Sequence, residues 1–111
     1  MSKIVVLVAL CLGSASCSST VSASCNFTTQ NYCVTISVSS GLTLTSPTCT
    51  GGTLIDACPM TGVVGRCVVQ TMVSVPGATG TQTTTSVYYT GADLTAGQAA
   101  CTSSSGTWTT S

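Results

Sequence analysis

Six cysteines, Cys25, Cys33, Cys49, Cys58, Cys67 and Cys101, follow an apolar amino-terminal run and are the residues of this 111-residue chain best suited to chemistry. Thiols can ligate a metal, exchange electrons or cross-link, and their spacing separates the three. A zinc site wants paired spacings such as C-x2-C, usually with His. The gaps here are seven, fifteen, eight, eight and thirty-three residues and His is absent, so no metal site is expected. Thioredoxin-like exchange needs C-x-x-C on a strand-to-helix turn, which the chain lacks. Three disulfides remain, each worth about 2 to 4 kcal/mol, comparable with the net stability of a small domain. Spacing does not choose among the pairings.

Other reactive groups are few. Lys3 and Arg66 stand against Asp56 and Asp93, with no Glu and no His. Ser and Thr hydroxyls therefore lack the usual activating base. Asp56 and Asp93 are the only carboxylate pair that glycoside hydrolysis would have, and each sits beside a turn or cap, where Asp commonly satisfies backbone donors. The expectation is a non-enzymatic protein without a cofactor. Nucleic acid is an unexpected partner, because one Arg beyond the amino-terminal run cannot displace counterions from phosphates. Tyr88 and Trp108 are the candidate binding residues, with flat apolar faces for a glycan or a partner protein. The competing reading makes Trp108 and Tyr89 the largest core pieces, with Tyr89 inward and Tyr88 outward. Asn26-Phe27-Thr28 is a glycosylation sequon, meaningful only in a suitable host. Thr43, Thr45, Thr81, Thr83, Thr107 and Thr109 form T-x-T pairs like those of ice-binding surfaces, but such surfaces need a regular planar repeat.

The amino terminus reads as an export signal over residues 1–16. Lys3 supplies the positive charge, Ile4 to Leu12 the apolar run, and Gly13-Ser14-Ala15-Ser16 the small residues before a cleavage site. The run is about half of the ~20 residues a membrane span needs. Ser14-Ala15-Ser16-Cys17 resembles a bacterial lipobox with Ser14 where Leu is usual, which makes Cys17 the candidate lipidation site. Ordinary cleavage, before Cys17 or later, for example after Ala23, is the alternative. Parity bears on the choice: with Cys17 acylated or removed, six cysteines can pair completely. Residues 17–24 then form a lipidated or linker segment ahead of a single Cys-rich domain, 25–111. Ser and Thr make up roughly a third of the chain, a bias of exported surfaces.

Periodicity supplies the elements. Val34, Ile36 and Val38 alternate with Thr35, Ser37 and Ser39 as in a half-buried strand; Ser39-Ser40-Gly41 offers a turn, and Leu42 and Leu44 continue the apolar face as hairpin one. A second hairpin runs through Val69, Val73 and Val75, with Pro76 to Gly80 as a five-residue loop, placing Val75 opposite Thr81, Val69 opposite Val87 and Cys67 opposite Tyr89. Thr95-Ala96-Gly97-Gln98 has the spacing of a capping box, so a short helix from about Ala96 presents Cys101 to the sheet. Residues 25–54 and 58–108 echo one another as degenerate repeats, with coincidence in a low-complexity chain as the alternative. The fold class expected is mainly β, small and disulfide-stapled, with two β-hairpins, one short helix near the carboxyl terminus and an amino-terminal signal helix.

Ala57-Cys58-Pro59, Gly65 two places before Cys67, Tyr88-Tyr89, Ala96 to Cys101 and Gly106-Thr107-Trp108 form a pattern that resembles small, mostly uncharacterised Cys-rich exported proteins and lipoproteins of Gram-negative bacteria. The resemblance covers the last half of the chain. It implies an envelope location and a disulfide-bonded β-rich module, and carries over no catalytic residue. Fungal hydrophobins, also exported with eight cysteines, are excluded by the missing Cys-Cys doublets. The function expected is that of a non-enzymatic envelope or secreted protein, structural or interacting, in the outer membrane, periplasm or outside the cell. Its partners would be a membrane, through the lipid anchor, and an unknown protein or glycan. The alternative is a secreted disulfide-rich binder of carbohydrate or of a protease.

Overall fold

The computed structural model describes residues 3–9, 19–39, 42–75 and 77–110. A small sheet has the order β1 (Lys3–Ala9), β5 (Thr43–Thr50), β2 (Ser19–Thr20). A larger antiparallel sheet runs β6 (Thr53–Ile55), β3 (Ser22–Phe27), β4 (Tyr32–Val38), β8 (Ala78–Tyr89), β7 (Val63–Val75), β9 (Thr107–Thr110). One helix, α1 (Leu94–Ser103), joins β8 to β9. The chain is mainly β, and the described residues form two hairpins, β3–β4 and β7–β8, and three disulfides.

Hairpin one differs from expectation in its partner. The period-two strand is β4, but it pairs with β3 and β8, so both its edges are taken. After Ser39, whose carbonyl accepts from Leu42 N at 3.1 Å, the chain enters the small sheet instead. Leu42 and Leu44 end 1% and 0% exposed there, covered more fully than side chains on a half-solvated hairpin face. Ser40 and Gly41 of the expected turn lie outside the described residues.

The second hairpin forms with a different register. Val75 pairs with Ala78, Val69 with Thr84 and Cys67 with Ser86, so the turn is two residues long and Gly77 occupies it at φ 90°. Glycine suits the positive φ of such a tight turn, whereas the expected loop needed five residues. The slip is an odd number of residues and exchanges the faces of β8: Tyr88, not Tyr89, shares the face of Cys67.

At the amino terminus Lys3–Ala9 is strand β1, antiparallel to β5 from Lys3 opposite Thr50 to Ala9 opposite Thr43, and not the expected helix. Ile4, Val5, Val6 and Val8 are β-branched and suit a strand that completes an open sheet edge. The rest of the signal segment, with Cys17, lies outside the described residues. The fold also begins before Cys25: Ser22 already pairs with Ser37, and Ala23 and Ser24 are buried, so residues 22–24 are strand rather than linker.

Across one face of the large sheet lie Ala23, Cys25, Phe27, Val34 and Ile36, and Leu44 from the small sheet closes over them as the core. Cys25 joins Cys49 of β5, tying the sheets together. Farther across that face Cys67 joins Cys101 of α1. On the opposite face Cys33 joins Cys58, fastening the loop after β6, and Ser24 Oγ meets Thr35 Oγ1 at 2.8 Å, satisfying a side chain with no exposed surface. The bridges close loops of 24, 25 and 34 residues. Their connectivity does not repeat: the counterpart of Cys67–Cys101 in the first unit would be Cys33–Cys49, and Cys33 pairs with Cys58. Cys49 lies on a strand and its counterpart Cys101 on a helix.

The helix meets the expectation that Cys101 turns to the sheet but starts earlier. Asp93 is its cap, Oδ1 accepting from Ala96 N at 3.0 Å, so Thr95 lies within the first turn.

Candidate functional site

Phe27, Tyr32, Tyr88 and Trp108 form one aromatic row across the strands. Centroids are 4.8 Å apart for Phe27–Tyr32, 5.7 Å for Tyr32–Tyr88 and 5.3 Å for Tyr88–Trp108, the first two pairs stacked and the last tilted. Register places Phe27 opposite Tyr32 and Tyr32 opposite Tyr88, while β7 contributes Gly65 opposite Tyr88. A Cβ at Gly65 would sit 2.7 Å from the Trp108 ring; without it the indole of β9 reaches across β7 to Tyr88. Each aromatic contact adds about 0.5 to 1.5 kcal/mol beyond its buried area.

Over this row α1 leaves a cleft of about 440 Å³. Tyr32 and Tyr88 line it from the sheet, Gln30 and Asn31 from the turn after β3, and Ala96, Gly97 and Ala100 from the helix, with Asp93 at its start. The turn is built by a short 3-10 segment, Thr28–Gln30, that ends at Asn31 in the left-handed region, φ 57°; Asn31 O then accepts from Tyr89 N at 2.9 Å. Asn tolerates that backbone better than most residues. The helix comes close because Gly97 faces Tyr88: a Cβ there would lie 2.9 Å from the phenol ring. Ala96, Gly97 and Ala100 are too small to fill the space beyond.

Burial pushes the Tyr32 and Tyr88 hydroxyls above the ordinary tyrosine value; Tyr32 is raised further by the neighbouring Tyr88, while a hydrogen bond from Ser86 partly offsets the shift at Tyr88. Both are neutral at physiological pH and can donate or accept. Asp93 is the carboxylate lining the cleft, one of its oxygens committed to the helix cap. Asp56, exposed in the loop after β6, does not line it. The arrangement therefore offers amphipathic rings, two side-chain amides and one partly engaged carboxylate.

A second hollow of about 280 Å³ opens on the opposite face, between Tyr89 and the loop held by Cys58. Tyr89 donates its hydroxyl to Pro59 O at 2.6 Å, and Asn26 and Thr28 of the sequon line the hollow with Asn31 and Thr61.

Of the candidate binding residues, Tyr88 lines the larger cleft and Trp108 stands behind it as support, outside the lining. Its indole N–H is buried with no hydrogen bond among the described residues. Cys25, Cys33, Cys49, Cys58, Cys67 and Cys101 are all bridged, and the described residues hold no cluster of three metal-ligating side chains. The T-x-T pairs form no regular planar repeat: Thr81 and Thr83 on β8 and Thr107 and Thr109 on β9 share one face of the large sheet but lie opposite different stretches of β7, Gln70 to Met72 and Arg66 to Val68, and Thr43 and Thr45 lie in the other sheet. Gln30, Asn31 and Tyr32 escaped the sequence reading, while Asp93 was anticipated beside a cap but not as part of a binding cleft. The signal for Tyr32 was its place four residues after the turn that begins at Thr28, on the alternation of Val34, Ile36 and Val38. Comparison with protein-family models, curated proteins and solved structures finds no match for the chain.

Proposed function

We propose that the protein is a small exported module of the bacterial cell envelope, non-enzymatic, that binds an uncharged carbohydrate in the cleft between Tyr32, Tyr88 and α1. One observation carries this reading: two amphipathic tyrosines line a cleft of ordinary ligand size, about 440 Å³, together with the amides of Gln30 and Asn31 and the carboxylate of Asp93. Sugars present apolar C–H patches and a rim of hydroxyls, and that mixture matches phenol rings beside amide and carboxylate groups. A chain with no net charge suits a neutral ligand better than an anionic one. Export is supported by the apolar leader and by three bridges that would persist in an oxidising compartment. Retention at a membrane is supported by Ser14-Ala15-Ser16-Cys17, where acylation of Cys17 would supply the anchor.

Two measurements test the reading. Mass analysis of the mature amino terminus should find the leader removed, Cys17 either acylated or absent, and six hydrogens missing for the three bridges; an intact leader with free thiols overturns the export reading. Calorimetry against neutral oligosaccharides should detect binding that Tyr88→Ala abolishes while the oxidised fold persists. Binding unaffected by Tyr88→Ala would place the ligand elsewhere.

A further inference from the structure

Resting on the carbohydrate reading, we infer that the ligand is a chain of sugars that crosses the end of the sheet at Asn31, occupying both hollows at once. Tyr88 and Tyr89 are neighbours on β8 and point to opposite faces, so the cleft at Tyr88 and the hollow at Tyr89 open on opposite sides of the same sheet end. Asn31 lines both. Its backbone is fixed by the hydrogen bond from Tyr89 N, and its exposed side chain stands on the ridge between them. Room on that ridge is kept by Gly91, where a Cβ would approach the Asn31 amide nitrogen to 3.1 Å.

Size points the same way. At about 280 Å³ the hollow beside Tyr89 is smaller than the first cleft, about 440 Å³, and shares Asn31 with it, which suits an extension of that cleft. Its lining of Asn26, Thr28 and Thr61 offers only neutral donors and acceptors, matching the uncharged character of the first cleft. A single ring in the first cleft would leave this second set unused. A flexible linear oligomer, bending over Asn31, engages both, and its second unit binds at the high effective concentration that tethering provides.

The experiment is calorimetric titration of the oxidised protein with two neutral series, N-acetylglucosamine oligomers and glucose oligomers, each from monomer to tetramer. In the series that binds, affinity should rise at least tenfold from monomer to trimer. Thr61→Trp, an exposed substitution that fills the second hollow, should return the trimer to monomer-level affinity and leave the monomer unchanged. Its folded state is checked by thermal melting, and Asn26→Trp serves as a second obstruction from the sheet side. Equal affinity for monomer and trimer overturns the two-hollow inference and leaves the single-cleft reading standing. Trimer binding that neither Trp variant weakens overturns it too. Absence of binding by both series overturns the carbohydrate reading itself.

Discussion

At one end of the shared face, β5 lies over β3 and β4, and Cys25, Phe27 and Leu44 are all but withdrawn from water, at 0%, 1% and 0% exposure. At the other, α1 lies over β7 and β9 with Gly97 against Tyr88 of β8, and Tyr32, Tyr88 and Trp108 remain half-buried beside a cleft. Both ends are held by a disulfide to the covering element, Cys25–Cys49 and Cys67–Cys101, so the staple is not what differs. The cover is. Leu44 of β5 fills the space it encloses, while Gly97 brings α1 against the Tyr88 ring and the small side chains of Ala96 and Ala100 leave the space beside it open. Packing density at one end and vacancy at the other follow from side-chain volume alone.

The strongest way to break this contrast is to cut the two staples separately. Replacing Cys25 and Cys49 by Ser should cost about 3.5 kcal/mol in chain entropy, and replacing Cys67 and Cys101 a similar amount. Their readouts should differ: hydrogen exchange in the first variant should accelerate throughout the large sheet, and in the second chiefly in α1 and β9, with β3 and β4 still protected. Identical exchange patterns in the two variants would erase the distinction between closed and open ends. Reducing all three bridges together should remove about 10 kcal/mol, the whole stability of a small domain, and abolish the cooperative melt.

Truncation within the aromatic row sharpens the same contrast. Phe27→Ala should destabilise by about 3 to 5 kcal/mol in denaturant titrations. Trp108→Phe should cost less than about 1.5 kcal/mol, because the ring contact survives and a buried N–H without a partner is removed. Near-equal losses would mean that the open end is packed as tightly as the closed one.

Gly97→Ala should do less to stability than to the cleft. Alanine improves the helix by about 1 kcal/mol, but its Cβ meets the Tyr88 ring and costs about 1 to 3 kcal/mol unless the ring or helix moves. Melting should fall modestly, while oligosaccharide affinity falls at least tenfold. The smallest effect is expected from alkali. Burial raises Tyr32, Tyr88 and Tyr89 above the ordinary tyrosine value of 10.0, so their contribution to stability is complete below that pH and is lost as pH rises through their folded values. Phenolate absorbance of the oxidised protein should therefore appear at higher pH than that of the reduced, unfolded chain.

Much of the scaffold was legible from residue types. Six cysteines paired as expected, alternation located β4, and the helix near the carboxyl terminus turned Cys101 to the sheet. Alternation, however, names the face of a strand and says nothing of its neighbour, so Leu42 and Leu44 extended the pattern of β4 although Leu44 belongs to another sheet and Leu42 to the connection leading into it. The β7–β8 register escaped for a related reason. Thr81, Gln82, Thr83, Thr84 and Thr85 carry no apolar contrast, so within that stretch an odd slip moves no hydrophobic residue from one face to the other, and the short turn at Gly77 decides. The cleft inherited that error, since its defining tyrosine was assigned to the wrong side. Asn31, Tyr32 and Asp93 were scattered along the chain and meet only once the sheet and helix have placed them.

The chain has a single tryptophan, and the row sets its indole 5.3 Å from Tyr88, which lines the cleft. At so short a range, light absorbed by the phenol passes to the indole before it can be re-emitted. The molecule thus has an optical gauge on the far side of the very ring a ligand would touch: a guest that shifts Tyr88 alters the colour and yield of Trp108 emission, and an empty cleft leaves them unchanged.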